Sequence, residues 1–107
     1  MAVYNKLVRD KIPEIITEQG QELDTVTLDE ANYEKELKKK LSEEVSEYLE
    51  STEDNEALEE LADILELLQS LASIHGGTIN EVEEIRVNKA EKKGGFERKV
   101  FLKSVED

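Results

Sequence analysis

The sequence predicts an all-α protein, an antiparallel helical bundle of about four helices. Three observations carry that expectation. Apolar residues recur every three or four positions through long runs, the period of a helix face. The five glycines and single proline of the 107-residue chain fall where those runs stop or start. Residues that cap helices (Thr, Asp and Asn) stand just ahead of the runs.

The first helix follows Asp10, a potential N-cap, and takes Pro13 in its opening turn, where the missing N–H has no helical partner to lose. Its apolar face is Ile12, Ile15 and Ile16, and it stops near Gly20. Residues 22–28, with Leu23, Val26 and Leu28 loosely alternating, and residues 98–103, with Val100 and Leu102, suit two short β pieces that could pair. Asp29 offers the cap for a second helix over 30–50, along which Tyr33, Leu37, Leu41, Val45 and Tyr48 form the apolar stripe. The third helix runs from about 56 to 75, after the cap candidates Asp54 and Asn55, and ends at Gly76-Gly77. The fourth opens on Thr78-Ile79-Asn80-Glu81, the spacing of a capping box, and closes at Gly94-Gly95. No linker, repeat or low-complexity tract divides the chain, so one domain over 1–107 is expected.

With 27 acidic against 14 basic residues, the formal net charge is −13. A surface of that sign repels phosphate, which argues against a nucleic-acid polymer as partner. An anionic substrate must arrive with a metal ion or meet a local basic patch. Hydrophobic residues at 37% and aromatics at 5% are lean for a lone globule yet above the level of disordered chains. The absence of cysteine removes disulfides and thiolate zinc sites. The opening MAVYNKLVRDKIPEII has no apolar signal-peptide core, and no run approaches the length of a membrane span. A cytoplasmic protein that does not enter membranes is the expectation.

Two helices place carboxylates where apolar residues belong. On the second, at about 100° per residue, Glu44 falls inside the Leu37/Leu41/Tyr48 stripe and Glu47 at its edge. A carboxylate there needs an ionic partner or a metal, because desolvating it alone costs several kcal/mol. On the third helix the apolar residues span an arc of about 200°, wider than one core contact uses, so this helix is expected to pack on two sides, one of them a second subunit. Glu60 and Asp63 lie within that arc. Oxygen donors converging without His or Cys select a hard cation, Mg²⁺ or alternatively Mn²⁺.

The pattern Glu44-x-x-Glu47, twelve residues, then Glu60-x-x-Asp63 resembles the metal-binding helices of the all-α nucleoside triphosphate pyrophosphohydrolase superfamily, the MazG-like and phosphoribosyl-ATP pyrophosphohydrolase-like proteins. KKKLSEEVSEYLE and EELADILELL are similar to the flanks of those helices, and YNKLVRDKIPEII with KAEKKGGFERKVFL resembles a small single-domain subgroup. The resemblance implies a MazG-like helical domain in which Glu44, Glu47, Glu60 and Asp63 bind Mg²⁺, with Glu43 assisting. It implies hydrolysis of the α/β phosphoanhydride of a nucleoside triphosphate to a monophosphate and pyrophosphate.

Glu47 or Glu44 is then the catalytic carboxylate that accepts the proton of the attacking water. Lys6, Arg9, Lys89, Lys92 and Lys93 are candidates for holding substrate phosphates, although Lys89, Lys92 and Lys93 also suit a helix C-terminus electrostatically. His75 reads as a helix-end residue, and Tyr33 and Tyr48 as packing residues. A homodimer or homotetramer is expected. The competing readings are a phosphoribosyl-ATP pyrophosphohydrolase of histidine biosynthesis and a non-enzymatic acidic helical interaction module.

Overall fold

The structure, a computed structural model, describes residues 2–106. Four helices follow one another: α1 (Ile12–Glu18), α2 (Glu30–Glu50), α3 (Asp54–Ile74) and α4 (Ile79–Lys93). The all-α class is as expected. Among the described residues there is no strand, and both 22–28 and 98–103 are irregular. Their alternation is too loose, and neither segment has a neighbouring edge to pair with.

Local chemistry sets most helix ends. Asp29 accepts a hydrogen bond from the Asn32 N–H at 2.8 Å and starts α2, as its sequence position predicts. Thr78 does the same for α4, accepting from the Glu81 N–H at 3.1 Å. At the end of α3 the chain turns through Gly76, whose φ of 75° favours a residue without a Cβ. There the Gly77 N–H donates to the Ala72 carbonyl and the Gly76 N–H to the Ser73 carbonyl, the paired bonds of a Schellman ending. His75 is the C-cap residue of α3.

Two caps differ from expectation. Lys11, not Asp10, is the N-cap of α1, and its side chain makes no capping bond. Helix α3 begins two residues earlier than predicted, with Glu53 at its N-cap, so Asp54 and Asn55 lie inside the helix. Acidic residues in a first turn complement the helix dipole, which favours that extension.

The core is an α2–α3 hairpin joined by three residues, with the two helices packed along their lengths. Leu37 is 2% exposed, and Ala72 is the other buried apolar residue. Ile64, Leu67 and Leu71 of α3 are half-buried. Helix α4 packs on α3 only lightly, and α1 approaches no other helix. Tyr48 and Val45, expected on the core stripe, are instead partly exposed, at 36% and 39%.

The fold is correspondingly open. Its radius of gyration is 18.5 Å, against about 13 Å for a compact chain of this length. Its accessible surface is 9954 Å², against roughly 6,100 Å² expected for a compact monomer of 12.2 kDa.

Candidate functional site

The hairpin register sets the site. With the turn at 51–53, α2 and α3 run back past each other and bring residue 44 beside residue 60. Carboxylate oxygens of Glu44, Glu47 and Glu60 all lie within 4.8 Å of one another. Glu44 is only 7% exposed, Glu60 is half-buried and Glu47 faces solvent. The trio thus grades from the hairpin interior to its surface, with Glu47 and Glu60 lining an open cleft of about 310 Å³.

Two oxygens stand out. Oε2 of Glu44 and Oε2 of Glu60 are buried and have no hydrogen-bond partner. Leaving a buried acceptor unpaired costs about 1–3 kcal/mol, so native proteins seldom do so without cause. The nearest cation is Lys40 Nζ, one helical turn back, at 3.7 Å from Glu44 Oε1. It reaches one carboxylate of the three.

The electrostatics agree with the geometry. The carboxyl of Glu60 is pushed up to about 7 from its ordinary 4.5. The largest cause is hydrogen bonding between its protonated form and Glu44; burial follows, then the corresponding interaction with Glu47, and repulsion by both neighbours adds. Three carboxyls sharing so small a volume hold a proton near neutrality unless a cation replaces it.

Asp63 lies one turn along α3 from Glu60 and does not join the trio. Its Oδ1 accepts from Arg9 Nη2 at 2.6 Å, an ion pair that ties the amino-terminal segment to α3. Two residues expected to contact metal and phosphate respectively therefore hold each other. Glu43 is half-buried and also outside the trio. Lys6, Lys89, Lys92 and Lys93 are exposed and form no ion pair among the described residues.

Some residues of the site escaped the sequence reading. Lys40 is visible in hindsight as the i−4 neighbour of Glu44, a spacing that joins side chains on one helix face. Glu50, Ser51, Thr52 and Glu56 line the cleft because they flank the hairpin turn. No periodicity marks them.

The donor set fits a hard divalent cation. It is all oxygen, two of its oxygens are otherwise unpartnered, and one member is open to the cleft. Comparison with models of protein families, with curated proteins and with solved structures finds no match.

Proposed function

We propose that this protein is an Mg²⁺-dependent nucleotide pyrophosphohydrolase that works as a homo-oligomer. The observation that carries the reading is Glu44, a nearly buried carboxyl with an unpartnered oxygen, clustered with Glu47 and Glu60 at the hairpin register. The E-x-x-E and E-x-x-D spacing on these two helices, and the resemblance it carries, supply the reaction class.

In this reading Glu44, Glu47 and Glu60 would hold the cation, and Asp63 would join them once released from Arg9. A bound divalent cation neutralises phosphate oxygens and lowers the pKa of water. Glu47 is the most exposed of the trio, and in this reading its oxygen not given to the cation accepts the proton of a water attacking the α-phosphorus. The new P–O bond forms as the bond from that phosphorus to the bridging oxygen breaks, and pyrophosphate leaves with the bridging oxygen. In this reading Arg9 and Lys6, on the segment that the Arg9–Asp63 pair ties to α3, are the cations that would face the departing phosphates. Lys89, Lys92 and Lys93 serve the same purpose only if α4 of this or another copy comes over the cleft.

The test is a panel of NTPs, dNTPs and phosphoribosyl-ATP, with Mg²⁺ or with chelator, resolving monophosphate plus pyrophosphate from diphosphate plus orthophosphate. Magnesium-dependent pyrophosphate release is expected, and the preferred substrate separates triphosphate hydrolysis from the histidine-pathway reaction. No turnover of any substrate, together with no stabilisation by Mg²⁺, overturns the reading in favour of an interaction module.

A further inference from the structure

Among the exposed apolar residues of the described chain, two groups form continuous surfaces. On α3, Leu58, Leu61, Leu65 and Leu68 recur at spacings of three, four and three, and thus share one face, next to the sector of the half-buried Ile64, Leu67 and Leu71. All four are exposed, Leu58 by 63%. The second surface is the irregular arm after α4, where Phe96 is 96% exposed and Phe101 85%, with Val100, Leu102 and Val105 close behind. Single exposed apolar residues are ordinary, but rows of them mark a surface that is covered in the working state.

Charge says which surface covers which. Helix α3 carries no cation, and Asp54 lies on its leucine face with Glu59 and Glu66 to one side of it, so two copies of that face brought together would set like charges against each other. The arm over 96–105 carries Arg98, Lys99 and Lys103 against one carboxylate, Glu97. It is the basic, aromatic complement of an acidic, aliphatic face. In its own chain the arm leaves α4 at Gly94 and stays exposed, while α4 itself meets α3 only lightly. The area is also right: the chain exposes about 3,900 Å² more than the roughly 6,100 Å² of a compact monomer. A standard interface needs about 800 Å² per partner, and obligate dimers use more.

We infer that the carboxy-terminal arm of each copy lies across the α3 leucine face of a second copy, closing a reciprocal twofold dimer. Phe96 and Phe101 fill the spaces between the leucines, and Arg98, Lys99 and Lys103 meet carboxylates of α3. Both arms cross, so each copy gives and receives the same contact, as twofold symmetry requires. The inference specifies the partner and the covering segment of the oligomer proposed above, and it does not depend on the metal or the reaction.

The experiment reads mass and cross-links, so its failure is distinct from a failure of the catalytic reading. Sedimentation velocity of the full chain is expected to give a dimer. Phe101→Asp, which lies outside every helix and leaves the helical circular-dichroism signal unchanged, is expected to weaken dimerisation by about tenfold or more, the effect of an interfacial aromatic anchor. The chain has no cysteine, so Leu65→Cys and Phe101→Cys proteins can be mixed under mild oxidation, and the mixed disulfide dimer is expected to dominate. A monomeric wild type, a dimer indifferent to Phe101→Asp, or disulfides between two Leu65→Cys chains in preference to the mixed pair would overturn the inference. A Leu65→Cys/Phe101→Cys double variant that cross-links only within one chain would overturn it too.

Discussion

Replacing Glu44 by Leu tests whether the buried carboxyl is there for a cation or for the fold. In the metal-free protein Glu44 Oε2 is buried without a partner. Removing that orphan acceptor is worth about 1–3 kcal/mol. Against this stands the loss of Lys40, 3.7 Å away in an i,i+4 pair, a contact of about 0.3–0.5 kcal/mol, and the comparison is made above pH 7, where Glu60 no longer shares its proton with Glu44. Leucine fills a similar volume and suits a helix interior. The net expectation is that Glu44→Leu stabilises the chelator-treated protein by about 1–2 kcal/mol, or roughly 5–15 °C in Tm for a chain of this size. Adding Mg²⁺ at about a hundred times its Kd reverses the order. The wild type then gains about 2.7 kcal/mol by mass action, while the variant, lacking the central ligand, gains little. Thermal and urea unfolding followed by circular dichroism at fixed protein concentration reads both states. The reasoning fails if Glu44→Leu is less stable than the wild type in chelator, because Glu44 would then be part of the packing. It fails equally if Mg²⁺ stabilises both proteins alike.

Three further outcomes are expected. Because the native Glu60 carboxyl holds its proton up to about 7 while the unfolded chain releases it near 4.5, the native state binds more protons across that interval, and metal-free stability falls as pH rises from about 4.5 to about 7; a urea-unfolding series that is flat or rising there contradicts the shared-proton trio. Asp63→Asn is expected to keep the helical signal and lower Mg²⁺-dependent pyrophosphate release by at least the 10–100-fold typical of groups that only support metal ligands, and full activity in the folded variant would remove Asp63 from the site. Arg9→Gln breaks an ion pair that is exposed at both ends, so it should alter global stability by less than about 1 kcal/mol while speeding amide exchange in the amino-terminal segment; unchanged exchange would show that the segment is held by something other than Asp63.

The sequence by itself determined the helices. Period, caps and glycines placed α2 exactly where it lies, because Asp29 and the leucine stripe act within a few residues and need no tertiary partner. The same locality explains the misjudged caps of α1 and α3: several short polar residues compete near each end, and small differences in backbone path choose among them. That the pairs Glu44/Glu47 and Glu60/Asp63 project from neighbouring helices of an antiparallel hairpin was also legible, since only a short turn joins two long helices. Only the tertiary structure decided the rest. It gathered Glu44, Glu47 and Glu60 but held Asp63 on Arg9, a contact between residues 54 apart that no periodicity encodes. It divided the wide apolar arc of α3 into a face packed on α2 and a leucine face left open. Spacing fixes which side chains share a helix face, whereas what meets that face depends on how distant segments pack.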